Sequence, residues 1–414
     1  MYRVLYLHPF AAYGGATSSL AEMFAALPRG SVSGVAIAPL GAASGVLESV
    51  GMIVTPARGI AQWDDTRFGH YRGTRWLILL REFAYWPFSL LALRRVAPSG
   101  PFDLIHCNEI TVLLVGMVAK RLFNAPLVVH VRSLQRSPAG SFITSRLRKW
   151  LRRNADAIVA IDDAVRRSLP LDLAVHVVHN GMAIPERLPV RDQQHPFRVG
   201  IIGVLHRSKG VYEFVQAACT LRERGIDARL IVIGENVRTL AGVSGWLLRT
   251  FDFARDVRGE LETYVAQNRL QELVEFTGFI REKSSIYGAL DAVCFPSHLD
   301  APGRPVFEAA LFSLPTIVAM REPTSDVVVA GETGICIDAP TPLAIANAIE
   351  MLARDRDRAR RMGEQARQLA LARFDSRLSA QKILEIYRSV CEKHRASASE
   401  RSSQLRGATP PGQA

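Results

Sequence analysis

In the stretch DAPGRPVFEAALFSLPTIVA, residues 300–319, Asp300 and Glu308 stand on either side of a Pro-Gly-Arg-Pro turn. Two carboxylates so placed could form an acid/base pair, ligate a metal or make one grip on a ligand, and the pair alone does not choose. A second stretch, IIGVLHRSKGVYEFVQAA, runs from an apolar strand through Gly203 and a loop carrying His206, Arg207 and Lys209 to Gly210 at a helix start. A lysine and an arginine at a strand's carboxyl end, beside a helix amino terminus, are what a diphosphate needs to be neutralised without a metal. In HPFAAYGGATSSL, Gly14 and Gly15 follow the first strand and open a helix, where a phosphate can approach the backbone. The spacing departs from GxGxxG, which argues against a nicotinamide cofactor. In LVVHVRS, His130 and Arg132 lie two apart on a strand and share a face; the alternative for His130 is a buried, hydrogen-bonded place in the core.

These residues need strands to carry them. The amino half offers RVLYLH, VSGVAIAP, GMIVTPA, FDLIHC, PLVVHV, DAIVAI and AVHVVHN, separated by amphipathic stretches such as residues 18–26 and 112–123. After a Pro- and charge-rich stretch at 183–197 the alternation restarts with RVGIIG, ARLIVIG, LVEFTGF, DAVCFP, PTIVAM and GICID. Short apolar strands alternating with helices predict parallel, doubly wound sheets, and the restart predicts two Rossmann-like domains in tandem with a cleft between them. The expected boundaries are 1–185 for an amino-terminal Rossmann-like domain, 186–374 for a carboxyl-terminal one, 375–395 for a helix packing back toward the first domain, and 396–414 for a disordered polar tail. Residues 235–260 read as an insertion of unknown role in the second domain.

A chain of 414 residues with 48% hydrophobic and 22% charged residues is globular, which excludes a mainly disordered protein. Its net charge of +12 implies an anionic partner: nucleic acid, membrane surface or phosphorylated substrate. No nucleic-acid recognition module is found, so no nucleic-acid partner is expected. The five scattered cysteines argue for a reducing compartment and against disulfides or structural zinc. The first ten residues lack an extended apolar core and read as a strand, so no secretory signal is expected. Asp355 and Asp357 in RDRDR have the look of a metal-binding DxD but sit in a charged helical region, and Asp162-Asp163 reads as a helix cap; no metal is expected.

Taken together, Gly203, Leu205 and Lys209-Gly210, the Asp-x7-Glu of the opening stretch with Gly303 and Arg304 ahead of Glu308, HVVHNGM with Asn180-Gly181, VEFTGFI with Gly278, and the carboxyl-terminal ARFDSRLSAQKILEIYRSV resemble, in order, the retaining GT-B glycosyltransferases of glycosyltransferase family 4. The resemblance spans nearly the whole chain. It departs from the family pattern at Val204, where an Arg stands, and at Asp300, where a Glu stands. It implies that Glu308 takes the ribose hydroxyls of a nucleotide-diphosphate sugar. Lys209, with Arg207 and the backbone around Gly303, Arg304 and Pro305, would stabilise the diphosphate together with the Gly14-Gly15 loop; Pro305 itself has no amide hydrogen. Asp300 would contact the sugar, and His130 or Arg132 would lie near donor sugar and acceptor. No cofactor beyond the donor substrate is implied. A sugar-nucleotide epimerase of the same fold, or a non-catalytic sugar-nucleotide binder, are the competing readings.

The acceptor expected is a saccharide or a lipid-linked one. Residues 76–96, interrupted by Arg81, Glu82 and Pro87, make a poor bilayer span but an interfacial element, and the basic helix ITSRLRKWLRRNAD suggests a dock on anionic lipid. The expected location is cytoplasmic, peripheral on the inner face of the membrane.

Overall fold

The computed structural model describes residues 1–67, 69, 71, 73–136, 142–191, 195–236 and 256–407. Each of the apolar runs forms a strand: β1 (Tyr2–Leu7), β2 (Val32–Pro39), β3 (Ile53–Ala57), β4 (Leu104–Cys107), β5 (Leu127–Val131), β6 (Ala157–Ala160) and β7 (Val175–Val177), then β8 (Phe197–Ile202), β9 (Ala228–Ile233), β10 (Val274–Gly278), β11 (Ala292–Phe295), β12 (Thr316–Ala319) and β13 (Gly334–Ile337). They pair into two all-parallel sheets, ordered β3-β2-β1-β4-β5-β6-β7 and β10-β9-β8-β11-β12-β13. The expected α/β class with two doubly wound sheets is therefore what the chain adopts. β4, β5, β6, β11 and β12 are buried along their whole length because helices cover both faces, which is why their sequences are continuously apolar rather than alternating.

The chain divides into unit 1, residues 1–183 and 374–414, and unit 2, residues 184–373. In unit 1, alternate strand residues face opposite cores. Leu5, Ile37, Ile105, Val129 and Ile158 meet the helices Ile78–Val96, Leu113–Phe123 and Phe142–Asn154. Val4, Tyr6, Leu104, Val128 and Val159 meet the helices Gly15–Ala25 and Ser376–Gly407. The last helix is seated by Ile383, Tyr387 and Val390. Its start is pinned where Ser379 Oγ donates to His179 O at 2.8 Å, and a Cβ on Gly181 would lie 2.5 Å from Ser376 Cα. That close passage explains the Gly in HNGM.

This helix corrects one expectation. It runs to Gly407, where the polar composition of 396–414 had suggested disorder from 396 onward. Residues 396–406 contain neither Pro nor Gly, and extending a helix already nucleated and docked needs no new nucleus. Residues 408–414 and the centre of the suggested insertion, 237–255, lie outside the described residues. The insertion's two ends are tied to each other: Asn236 Nδ2 donates to Asp256 Oδ1 at 2.8 Å and Arg258 pairs with Glu235 at 2.6 Å. Asp162 caps the helix Asp163–Ser168 by accepting from Val165 N at 2.6 Å, and Asp357 pairs with Arg360 on an exposed helix, as read from the sequence.

Candidate functional site

In unit 2 the candidate residues gather on the loops that follow two adjacent strands, β8 and β11, at their carboxyl ends. The loops are stitched together: His298 N donates to Ser208 O at 3.0 Å, and Ser297 Oγ to the same oxygen at 3.3 Å. Gly210, with φ of 73°, turns the first loop into the helix Val211–Glu223, and a Cβ there would lie 1.9 Å from Pro296 O on the second loop. Glycine is thus required twice over, by conformation and by contact.

Lys209 is half-buried, its Nζ 5.1 Å from the centroid of the Phe295 ring. Burial lowers its pKa, the direction expected for an ammonium short of water and of an anion. The tip of the Phe295 ring abuts Gly303, where an added Cβ would stand 2.2 Å from Cζ. Gly303 caps the helix Arg304–Leu311, with Pro305 in its first turn. Arg207, expected as a second cation, has its guanidinium 5.8 Å from the Tyr212 ring centroid, on the helix side of the loop. Val204 is exposed and Gly203 has φ of 133°.

Asp300 and Glu308 are held by different partners. Asp300 sits at φ of 50°, a left-handed conformation that aspartate tolerates better than most residues. Its Oδ1 accepts from the Arg321 backbone N at 3.1 Å and its Oδ2 from Arg321 Nη2 at 3.1 Å. The backbone at 300 and the reach of Arg321 from behind β12 therefore suit the shorter acid. Glu308 is deeper. Oε1 accepts from Arg304 Nε at 2.7 Å and lies 2.9 Å from Lys283 Nζ, while Oε2 accepts from the Tyr287 hydroxyl at 2.7 Å. Burial pushes the Glu308 carboxyl up, but Arg304, Lys283 and the Tyr287 hydrogen bond outweigh it and hold the pKa below the ordinary value. Glu308 is thus a fixed carboxylate, suited to accepting hydrogen bonds rather than to exchanging protons.

In unit 1, His130 and Arg132 touch, with Arg132 Nη2 3.3 Å from His130 Nδ1. His130 is 3% exposed, its ring 5.5 Å from that of His106, whose Nδ1 lies 2.6 Å from the Tyr387 hydroxyl. It occupies the core position that was the alternative reading. Arg132 is a hub at the strand ends: Nη2 donates to Asn108 Oδ1 at 2.8 Å, Nε to the same oxygen at 3.0 Å, and Nη1 to Asn180 Oδ1. Asn108 reaches on to His8 Nδ1 at 2.9 Å, and His8 Nε2 to Thr17 Oγ1 at 3.1 Å. Gly14 and Gly15 are exposed, and nothing lies within 4 Å of a Cβ at either.

Burial, and then the positive charge of Arg132, lower the pKa of His8 and of His106 to about 3, and that of His130 falls well below 6.5. All three stay neutral when folded, while in the unfolded chain they take up protons below about 6.5. The unfolded state then binds more protons, so stability rises with pH across this window and is lost on acidification. Each histidine should cost on the order of 1 kcal/mol per pH unit below 6.5. A urea midpoint distinctly lower at pH 5 than at pH 7 is the expected result; equal midpoints would mean these imidazoles are already charged or open to water.

The family model described as Glycosyl transferases group 1 matches residues 189–369, and that described as Glycosyltransferase Family 4 matches residues 50–184. Between them they account for most of both units. The chain belongs to this glycosyltransferase family. A D-inositol 3-phosphate glycosyltransferase of Corynebacterium urealyticum is 31% identical to the glycosyltransferase over 194 residues, 46% of this chain and 43% of that one. A glycogen synthase of Mycobacterium tuberculosis is 22% identical over 302 residues, 69% of this chain and 68% of that one. Among solved structures, HepE of Anabaena in complex with UDP and glucose superposes with a TM-score of 0.72 at 21% identity, covering 94% of this chain and 100% of that one, a likeness of fold.

Several residues of the glycosyltransferase's clusters were not singled out from the sequence. Lys283 and Tyr287 are one helical turn apart, so both reach Glu308 from one face of a short helix. That helix and Arg304–Leu311 pack on the same side of the second sheet, where the Tyr287 and Phe312 rings stack at 5.0 Å. Arg321 and Asn108 follow strand ends, which is the only local signal they carry.

Proposed function

We propose that the protein transfers a sugar, with retention and without a metal, from a nucleotide-diphosphate sugar held by unit 2 to a saccharide or lipid-linked acceptor on the unit 1 side. We place this at an anionic membrane surface in cell-surface polysaccharide or glycolipid assembly. The observation that carries the reading is Glu308, held ionised by three partners within 3 Å on the helix that Gly303 opens, with half-buried Lys209 on the adjoining loop. In this reading Glu308 accepts from the ribose hydroxyls, and Lys209 with the amides of Gly303 and Arg304 takes the charge growing on the diphosphate. Asp300, steadied by Arg321, accepts from sugar hydroxyls. The bond from the anomeric carbon to phosphate breaks as the acceptor oxygen closes on the same face, and the departing phosphate takes the acceptor proton. The nucleoside diphosphate leaves and no protein nucleophile is used.

HepE was solved with UDP and glucose, which favours uridine as a first base to try. In a thermal-shift screen of uridine, guanosine and adenosine diphosphate sugars, one donor class should raise the melting temperature by mass action. Transfer from that donor should be undiminished in a chelator and should give an axial or equatorial product bond matching the donor's. Absence of stabilisation by every donor would sink the donor assignment; activity lost in chelator and regained with Mn²⁺ or Mg²⁺ would sink the metal-free mechanism.

A further inference from the structure

The helix Ile78–Val96 presents two opposed stripes. Glu82, Ser89, Leu93 and Val96 are buried toward the sheet of unit 1, while Leu80, Ala84, Pro87 and Leu91 recur at helical spacing on the outer side. Leu77, Leu80 and Phe83 are 63%, 68% and 64% exposed, far more than apolar side chains with a neighbour to cover them. Pro87 sits within the 19-residue helix without ending it, and from Leu80 to Leu91 the stripe is about 17 Å long. No helix among the described residues is long and apolar enough to cross a membrane, so the stripe is a surface to be covered and not a span.

What covers it is indicated by charge. Four helices pack on this side of the sheet: Ile78–Val96, Leu113–Phe123, Phe142–Asn154 and Asp163–Ser168. Cations outnumber acids on them: Arg81, Arg94 and Arg95 on the first, Lys120 and Arg121 on the second, five more between Arg146 and Arg153 on the third, and Arg166 and Arg167 on the fourth, against Asp163 and buried Glu82; Lys120 and Arg152 are paired with Asp156 and Asp172. Glu82 is itself committed, accepting from Gln62 N at 2.8 Å and paired with Arg81. The opposite side of the same sheet, with Glu22, Glu48, Glu385 and Glu392 among its basic residues, is mixed. An apolar stripe rimmed by cations on one side only matches the boundary between acyl chains and anionic headgroups, where long basic side chains reach outward to the phosphates. A second copy of the same face would instead oppose cation to cation.

We propose that this side of unit 1 docks on an anionic lipid leaflet, with Leu77, Leu80, Phe83 and Leu91 entering the headgroup boundary and the basic helices lying above it. The assignment rests on the membrane-surface part of the reading above and on none of its donor chemistry.

The test is flotation of the full chain with vesicles of phosphatidylcholine alone and of phosphatidylcholine mixed with phosphatidylglycerol, with donor-induced thermal stabilisation measured on the same samples. The chain should float with the mixed vesicles only and release as salt is raised. Leu80→Glu with Phe83→Glu should lower partitioning about tenfold or more, and Lys149→Glu with Arg153→Glu by a similar factor, while the response to donor is unchanged. All four positions are on the surface, so melting curves should match the parent's. Overturning results are partitioning indifferent to lipid charge, no binding to mixed vesicles, or equal binding by parent and both variants. A lipid-free dimer that Leu80→Glu with Phe83→Glu converts to monomer would assign the face to self-association instead. Loss of the donor response with binding intact would strike the catalytic reading alone.

Discussion

Lys209→Ala is expected to lower kcat by a factor of about 10² to 10³, and Glu308→Ala to lower kcat/KM by a comparable factor chiefly through the donor KM. In the proposed reading the two differ because they meet different parts of the donor. Negative charge on the diphosphate grows as the sugar departs, so a cation there stabilises the transition state more than the bound substrate. The half-buried setting against the Phe295 ring deprives Lys209 of water that would compete for that charge. The ribose lies away from the reacting carbon, and a contact to it is made equally before and during reaction, which is the signature of a KM effect. Glu308→Ala also removes the ion pairs to Arg304 and Lys283 and the hydrogen bond of the buried Tyr287 hydroxyl, so its melting temperature should fall. Lys209→Ala, which breaks no ion pair among those described, should melt nearly as the parent does. Steady-state kinetics with varied donor, alongside melting curves, separates these effects; a near-parental kcat in Lys209→Ala together with a near-parental donor KM in Glu308→Ala would remove the two residues from the site.

Gly210→Ala should be among the most damaging single-methyl additions in unit 2, costing about 2–5 kcal/mol in unfolding free energy. Its φ of 73° penalises any Cβ, and the Cβ would be driven to 1.9 Å from Pro296 O, a backbone atom that cannot swing aside. The relief available is to part the loops after β8 and β11, which would move Lys209 away from Phe295. Activity should therefore fall with stability. Gly14→Ala and Gly15→Ala make the contrast, since open space surrounds both and Gly14 has an ordinary extended φ of −166°. Their urea midpoints should stay at the parent value, so that any loss of donor affinity there reports a ligand brought close to the backbone. A Gly210→Ala midpoint equal to the parent's would show that the two loops are not rigidly joined.

The strands were legible because each is short, apolar and bounded by Gly, Pro, Asp or Asn, and because helices on both faces demand that pattern. The family resemblance was legible because its glycines and acids keep their order: Gly203, Gly210 and Gly303 occupy a strand end and two helix starts, while Glu308, expected at the start of its helix, lies in the second turn of Arg304–Leu311. The end of the last helix was misread, because polarity at 396–407 describes how residues meet solvent and not whether a docked helix continues through them. His130 was left open between site and core for a related reason. A strand's alternation says which residues share a face, but His130 is in the core because the helix Ser376–Gly407 brings Tyr387 against its neighbour His106 from the far end of the chain.

The residue types, their order and their periods were enough to establish two parallel α/β units and the loops that carry the candidate donor grip, since strand, helix and turn preferences act between near neighbours in sequence. Which side chains complete that grip was decided only when the chain closed on itself. Lys283 and Tyr287 meet Glu308, and Arg321 meets Asp300, across separate crossovers of the second sheet. Arg132 is fastened by Asn108 and Asn180, which lie beyond the ends of other strands of the first. A charge or hydrogen bond acts through space, over a few ångströms, and its partner's position along the chain leaves no period for a sequence to display.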